Sequence, residues 1–502
     1  MTMLQLLTTT CRLTLAALVG VGLGAAAHAQ EITPDDDDIA PDLTNPRVVA
    51  SMLGVSGDDM RPDDQFETTL FGRPLIIGGE LETSAQVRRR LDPAAEDGVA
   101  KIAPEAQLEF LFIPNDQLIA FAEVKAFSDD EVWNEGDKRE SEAGFDVREA
   151  WVLVPNLFGS KASLQIGKQQ YQDRREWWWN EDLDSVRIHY MDGNLTGFLG
   201  IAETVLRTST LEDIAAEDDD VQRVLGNVAY TWTKHDRIEA FLVDQRDRSG
   251  TGSIGSTISE AEEDESDADL TWLGMRARTR QKLGDLGKVF LSIDLAGVSG
   301  EETLVETDNA GAGLLEIADT TRRDVTGWAT EISMSWETPL SFEPVVSVAY
   351  AFGSGDSTPD DGEDGNFRQT GLQGNNGKYR GISRFRYYGE TIRPELSNVG
   401  IATLSVGSPA PAPAGGEAWL ELVLHDYHQP KLSTSFRTDR LDVDPNGLSH
   451  DLGKGVDLVY SFEINKNWEF EATVGGFRYG DAFGASEGKW ATSAALKLDY
   501  NF

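Results

Sequence analysis

The chain ends with Trp490-Ala-Thr-Ser-Ala-Ala-Leu-Lys-Leu-Asp-Tyr-Asn-Phe502, a segment in which apolar and polar side chains alternate. An alternation with a period of two residues predicts a β-strand with one apolar and one polar face. A strand of this kind that faces lipid must belong to a closed barrel, because lipid offers no partner to the backbone groups of an open edge. The terminal Phe502, with Tyr500 two residues before it, resembles the closing-strand signal that barrel-assembly machinery reads. A half-buried strand of a soluble β-sandwich has the same pattern, so this segment alone leaves both structures open.

The N-terminus predicts export. Arg12 precedes a short apolar stretch, and Ala27-His-Ala29 has the small residues of a cleavage site, so residues 1–29 are predicted to be a signal peptide. The only cysteine lies within this segment, so the mature chain is expected to have no disulfide and no cysteine metal site. Residues 30–65 include Asp35-Asp-Asp-Asp38 and lack sustained alternation, so we interpret them as an acidic periplasmic leader that is mobile.

Charge and hydropathy narrow the class of protein. The formal net charge is −42, from 86 acidic and 44 basic side chains, and such an excess of negative charge repels nucleic acid. No stretch after the signal peptide approaches the roughly 18 consecutive apolar residues of a membrane-spanning helix. Any crossing of the membrane must therefore be made by strands.

Alternating segments recur through the rest of the chain and predict an all-β fold, an 18-stranded antiparallel transmembrane barrel over residues 66–502. The barrel is expected in the outer membrane as a monomer, in contact with lipid and lipopolysaccharide. The eighteen segments lie near residues 75–87, 104–113, 117–127, 146–154, 162–171, 185–191, 197–206, 223–233, 237–244, 270–279, 287–297, 328–337, 343–352, 395–406, 417–428, 456–464, 468–479 and 489–502.

The connections between these segments alternate in length, as bacterial barrels with short periplasmic turns and long external loops require. Short connections include Met191-Asp-Gly-Asn194 and Asn465-Lys-Asn467, whereas residues 245–269, 298–327 and 353–394 form long acidic connections. The acidic clusters of these loops have no known calcium-loop spacing, so we interpret them as solvated and predict no metal site.

Two blocks of sequence resemble the alginate-export outer-membrane porins. The first comprises Arg148-Glu-Ala-Trp-Val, Leu164-Gln-Ile-Gly-Lys-Gln-Gln170 and Asp173-Arg-Arg-Glu-Trp-Trp-Trp-Asn-Glu-Asp-Leu-Asp-Ser-Val-Arg187. The second begins at Phe367-Arg-Gln-Thr-Gly-Leu-Gln-Gly-Asn-Asn376 and continues to Pro394-Glu-Leu-Ser-Asn398. The resemblance implies an 18-stranded monomeric barrel that exports the acidic polysaccharide alginate through an arginine-rich constriction.

The resemblance also indicates which residues would line the pore. Parity favours Arg148 and Arg187 as lumen-facing, since it places Trp151 and Leu153, and Ile188 and Tyr190, on the opposite face. Lys168 has outward parity unless Gly167 marks a bulge, and Arg384 and Arg386 contribute only if their loop folds into the pore. The candidate pore-lining residues are Arg148, Lys168, Arg174, Arg175, Arg187, Arg384 and Arg386.

Two features depart from the family's pattern. Parity places many acidic residues inside the barrel beside few basic ones such as Lys125 and Lys497, so the lining is mixed in charge. In addition, Ile464-Asn-Lys-Asn467 is a tight turn where the family has a long periplasmic lid, so we expect external loops to gate this pore. The inward acidic set is Glu80, Glu82, Glu109, Glu123, Asp294, Glu331, Glu421, Asp457, Glu463, Glu469 and Glu471.

Other functions remain open at this point. A general or differently selective porin, including one used for uptake, would have the same scaffold, and a barrel hydrolase or adhesin is a second alternative. No metalloprotease, serine-hydrolase or phosphate-loop motif is found, so the sequence predicts neither an enzyme nor a cofactor. Trp177-Trp-Trp179 would either stack on sugar rings at the pore mouth or belong to an interfacial aromatic girdle.

Overall fold

The computed structural model describes residues 65–502, except for 95–96, 116, 136–138, 206–207, 211–215, 234, 251, 260–261, 312, 359–361, 439 and 466. The predicted signal peptide and nearly all of the predicted leader lie outside the described residues. Within the part described, no helix is long and apolar enough to cross a membrane.

Eighteen antiparallel strands form one continuous sheet, with neighbours in sequence paired to each other. We number them β1 to β18. They are Arg73–Arg89, Gly98–Asn115, Leu118–Asn134, Ser141–Val154, Ala162–Gln172, Asn180–Asp192, Leu195–Glu203, Val221–Thr233, Asp236–Asp247, Ser266–Lys282, Lys288–Gly311, Leu314–Glu337, Val345–Gly353, Gly400–Pro409, Glu417–His428, Asp451–Ile464, Trp468–Tyr479 and Trp490–Asn501.

The sheet closes on itself because β1 pairs antiparallel with β18, with Glu80 opposite Asn501. The pairing continues one step further, where Gly79 and Phe502 exchange backbone hydrogen bonds of 2.9 and 3.0 Å. Beyond that point the edge of β1 is taken by an additional strand, Phe66–Leu70, which pairs with residues 73–77. The closed 18-stranded barrel predicted from the alternating segments is confirmed.

Side chains alternate between the lumen and the outer surface along each strand. On β10, for example, Leu273 and Met275 point outward and are 62% and 50% exposed, whereas Trp272 and Arg276 point inward and are each 2% exposed. The outward positions form an apolar surface, as a barrel surrounded by hydrocarbon requires. The low exposure of the inward positions shows that other groups fill much of the lumen.

The connection predicted at residues 298–327 is wrong. Strands β11 and β12 instead continue through this region as a long hairpin, with Val298 opposite Gly327 and Leu304 opposite Thr321. The apolar alternation there is weaker because charged and small polar residues predominate, although a few apolar side chains such as Leu315 and Ile317 are buried. We call residues 304–321, the part of the extension that begins with this last pair, the outer hairpin.

Candidate transport lumen

Two connections at the same end of the barrel fold into the lumen. One joins β5 to β6 and comprises residues 173–179, which we call the tryptophan loop. The other joins β13 to β14 and comprises residues 354–399, which we call the inner loop. Their aromatic side chains are buried together, because large apolar rings gain more from burial in the barrel than from exposure to water. Arg384 and Arg386 are expected to contribute to the pore only if their loop folds into it, and the inner loop does so.

The tryptophan loop packs against strands β7 and β9. Trp178 stacks on Phe241 with ring centroids 4.9 Å apart, and Trp179 contacts Phe198 edge-on. Trp177 stacks on Phe367 of the inner loop, so it joins the two connections. All three tryptophans are at most 4% exposed. Neither interpretation offered for them, sugar stacking at the mouth or an interfacial girdle, is correct, because they anchor one lumen loop to the wall and to the other loop.

A buried ionic network holds the tryptophan loop to the wall strands. Arg175 forms ion pairs with Asp294 of β11, at 3.1 Å, and with Glu331 of β12. Its guanidinium also lies over the ring of Tyr387 in the inner loop, 4.5 Å from the centroid. Arg276 of β10 pairs with Asp294 as well and contacts Asp173 at 2.9 Å. Because each charge in the network has an opposite partner, the cost of burying it is offset within the lumen.

Asp173 shapes the turn that carries these residues. Its carboxylate accepts hydrogen bonds from the backbone N–H groups of Arg175, Trp177 and Trp178. Burial alone would raise the pKa of Asp173, but the charge of Arg276 and these N–H donors outweigh it, and the pKa lies below its usual range. Asp173 is therefore ionised, and its hydrogen bonds and ion pair fix the conformation of the tryptophan loop.

The inner loop crosses the lumen to the tryptophan loop, and it is also held to strands next to its own ends and to β18. The hydroxyl of Tyr388 donates to Glu331 of β12 at 2.7 Å, and its carbonyl accepts from the hydroxyl of Tyr427 on β15 at 2.8 Å. Further along, Thr391 shares a 3.0 Å hydrogen bond with Ser493 of β18. The loop is thus a folded constriction held by its neighbouring strands, by β18 and by the tryptophan loop.

The arginines of the inner loop line the remaining space. Arg384 pairs with Glu176 of the tryptophan loop at 2.7 Å and keeps 29% of its side chain exposed. Arg386 donates to the carbonyl of Gly374. Arg380 pairs with Glu337 at 2.7 Å and stacks over Phe290, 3.9 Å from the ring centroid. Because Glu337 ends β12 and Phe290 begins β11, the loop reaches deep toward the end of the barrel with the shorter turns.

Sequence reasoning missed the arginines of β9 and β10. Arg237 and Arg278 face the lumen beside Glu239 and are about 30% exposed, and the charge of Arg174 acts on Arg278. Arg280 lies over the same Phe290 ring as Arg380. The run Arg276-Ala-Arg-Thr-Arg280 puts three arginines on one parity of a predicted strand, which was a sufficient signal to find them. We call this set, Arg174, Arg237, Arg278, Arg280 and Arg380, the basic face.

An acidic face lies on the other side of the barrel. Strands β17, β18 and β1 are neighbours, and in the closed order of eighteen strands they stand half-way around from β9 and β10. Glu82 and Asp499 flank Lys497, whose ammonium lies 2.9 and 3.3 Å from their carboxylates. The acidic face consists of Glu80, Glu82, Glu469, Glu471 and Asp499.

The parity argument for Arg148 is wrong. Trp151 and Leu153 are buried on the lumen side, at 3% and 0% exposure, while Val152 between them is outward and 40% exposed. The register shifts at Glu123, which faces Glu149 while the next pair is Val124 with Val147, so Arg148 is the extra residue of a β-bulge. Its Nε donates to Asp182 at 2.8 Å.

Of the remaining candidates, Arg174 and Arg187 differ in exposure. Arg187 is 3% exposed, bonded to Gln165 and stacked over Tyr171, so it acts as part of the wall. Arg174 is exposed within the lumen loop. Lys168 keeps its outward parity and its ammonium donates to Thr208 at 2.8 Å, although Gly167 does have a positive φ of 131°.

Comparison with known proteins gives this geometry a family. A family model described as "Alginate export" matches residues 73–496. The alginate production protein AlgE of Pseudomonas aeruginosa is 26% identical over 353 residues, 67% of this chain and 67% of that protein. AlgE of Azotobacter vinelandii is 27% identical over 330 residues, 60% of this chain and 64% of that protein. The aligned part is thus about two thirds of each relative.

A solved structure supports the fold independently. OccAB1 of Acinetobacter baumannii superposes with a TM-score of 0.50 at 11% identity, covering 85% of this chain and 96% of that one. At this identity the likeness concerns the fold alone. With the family match over most of the barrel, it follows that the chain belongs to the alginate export family and is a β-barrel of the outer membrane.

Proposed function

We propose that the protein is a passive channel that carries an anionic polysaccharide of the alginate type outward across the outer membrane. The observation that carries the proposal is the basic face, in which arginines of β9 and β10 meet Arg380 of the inner loop within the lumen. Arginine lowers the cost of moving a carboxylate through a partly desolvated pore, because it keeps its charge and can hold a carboxylate with two hydrogen bonds. The family and the names of its curated relatives support the same substrate class.

The candidate residues contribute in different ways under this proposal. Arg174, Arg384 and Arg386 lie on the two lumen loops and contact the passing chain together with the basic face. Arg175 and Arg187 are buried and position the loops and wall. Arg148 and Lys168 lie toward the barrel end with the long loops, where they bind Asp182 and Thr208.

We also propose how the barrel is oriented in the outer membrane and what it contacts there. The long loops face outward and the short turns face the periplasm, with the apolar outer surface in contact with lipid and lipopolysaccharide. The closing strand that ends at Phe502 is the part that barrel-assembly machinery recognises.

Ion selectivity tests the proposal directly. The purified barrel in a planar bilayer under a KCl gradient should give a reversal potential of anion preference. The triple variant R174E/R237E/R278E should shift that potential toward cations, whereas R322E, at the base of the outer hairpin, should leave it unchanged. Cation preference in the unaltered protein would contradict the proposal.

A general porin is the second candidate, and the mixed lumen charge favours it. Such a pore would pass small solutes of either sign and show little binding of oligosaccharide. Occlusion of the open-channel current by oligoalginate at micromolar concentration separates the two functions, because only a pore with a built polyanion path holds the chain long enough to block the current.

A further inference from the structure

One buried carboxylate oxygen of the acidic face has no hydrogen-bond donor. Carboxylate oxygens of Glu80, Glu82 and Asp499 lie within 4.8 Å of one another. Lys497 is the ammonium donor among them, through Glu82 and Asp499. Asp499 is only 5% exposed, and its Oδ1 has no hydrogen-bond partner. A buried acceptor without a donor is costly, so this place is suited to a ligand that brings donors.

Hydroxyl groups already bind carboxylates of the same face. Ser383 of the inner loop donates its hydroxyl to Glu469 at 2.6 Å, and Thr473 donates to Glu471 at 3.2 Å. Both are neutral donors, which add hydrogen bonds without adding charge. The acidic face therefore accepts hydroxyl groups in this structure, one from a loop that crosses the lumen and one from its own strand.

The two sides of the lumen offer opposite hydrogen-bonding groups. The basic face and Arg384 present N–H donors and positive charge, whereas the acidic face presents acceptors and negative charge. A uronate chain has carboxylates that need donors and free hydroxyls that need acceptors. When the carboxylates of such a chain face the basic face, hydroxyl groups of the same chain face the acidic face. The acidic face repels the carboxylates and so favours this orientation of the chain.

We propose that the acidic face is a hydroxyl-binding site, and that together with the basic face it makes the pore selective for polyanions that carry hydroxyl groups. This inference rests on the proposed function and deepens it, because it names the acidic face, formed by Glu80, Glu82, Glu469, Glu471 and Asp499, as the second half of the substrate path. A polyanion without hydroxyl groups engages only the basic face.

Single-channel occlusion by two probes tests the inference. Oligoalginate and oligoglutamate of matched length and charge are compared on the full-length protein and on the variant E82A/E471A/D499A. Alanine removes the acceptors. We expect the residence time of oligoalginate to fall about tenfold, the equivalent of one lost hydrogen bond to a charged group, while that of oligoglutamate stays constant or rises.

The variant E301A/E306A/D308A is the matched control, because it removes the same charge from exposed positions at and around the outer hairpin. It should leave both residence times unchanged. Equal changes for both probes in the acidic-face variant would overturn the inference, as would a shift in small-ion selectivity with no change in either residence time. If neither probe occludes the unaltered pore, the proposed function itself fails, so the two failures are distinguishable.

Discussion

The inner loop and the outer hairpin are two long segments at the same end of the barrel that fold in opposite directions. Residues 354–399 leave the sheet and fill the lumen, whereas residues 304–321 stay in the sheet and extend beyond it. The inner loop contains Phe367, Tyr379, Phe385, Tyr387 and Tyr388, all at most 8% exposed. The outer hairpin has no aromatic residue and is rich in charged and small polar side chains.

The difference shows what decides the path of a long connection. Aromatic side chains at irregular spacing cannot all point to one face of a strand, so they are buried by folding back into the barrel. Polar residues without such anchors keep their backbone hydrogen bonds by continuing the hairpin into solvent. Both stretches interrupt the apolar alternation and so look like long connections in sequence, and aromatic content distinguishes them.

The largest expected effect comes from excising the inner loop. Its ends already lie side by side, since the N–H of Asn398 donates to the carbonyl of Ser354 at 3.0 Å. A short Gly-Ser linker in place of residues 356–397 should open the constriction and raise the single-channel conductance several-fold, because the lumen loses the segment that crosses it.

The matched control shortens the outer hairpin. Thr303 pairs with Arg322, so a two-residue turn can replace residues 304–321 without disturbing the barrel. Conductance should remain unchanged in this variant. An equal rise in both variants would mean that the pore narrows outside the lumen and that the two regions do not differ as described.

The next effect compares Arg175 of the tryptophan loop, whose guanidinium packs on Tyr387 of the inner loop, with Arg322, which follows the outer hairpin. The variant R175M leaves Asp294 and Glu331 buried at 1% exposure with one positive partner fewer. Loss of one member of a buried ion pair costs about 3–5 kcal/mol, so the free energy of unfolding in urea should fall by that amount. The variant R322M removes an ion pair whose side chains are more than half exposed, and it should change stability by no more than about 0.5 kcal/mol. Similar losses in both variants would show that the Arg175 network is not a buried anchor.

The sequence predicts the wall of this barrel better than its contents. Strands such as β10 alternate because one face meets an apolar surround, and that constraint can be recognised in each segment separately. The pairing of Arg175 with Glu331, 156 residues later, depends on where the tryptophan loop packs against β12, and no local pattern encodes it. The predicted orientation of Arg148 is wrong for a related reason. A β-bulge shifts the alternation by one residue, so the side of the sheet that a residue of β4 faces cannot be counted across it. The arginines of β10 were predictable, because their spacing is local.

Glycine substitution sharpens the contrast within the inner loop itself. Gly389 has a φ of 111°, and a Cβ there would lie 2.3 Å from the hydroxyl oxygen of Tyr427. The variant G389A should therefore lower the free energy of unfolding by about 2 kcal/mol through overpacking and displace Tyr388 from its hydrogen bond. Gly371 also has a positive φ, of 76°, but open space around it. The difference in the free energy of unfolding between G389A and G371A measures the steric effect of the added methyl group. Equal losses of stability in the two variants would mean that backbone strain alone is responsible.

The smallest effect concerns one hydroxyl group. The variant Y388F removes the donor to Glu331 and the acceptor for Trp177 Nε1, which lies 2.8 Å away. Both partners are buried, so stability should fall by about 1.5 kcal/mol, and flickering of the open-channel current should increase because the inner loop loses a contact with β12. In Y460F the lost hydroxyl bonds an exposed carbonyl of Pro411, where water replaces it, and neither quantity should change. Unchanged stability and unchanged current flickering in Y388F would show that the ion pairs and the aromatic packing hold the inner loop without this hydrogen bond. The difference between the inner loop and the outer hairpin would then rest on those interactions.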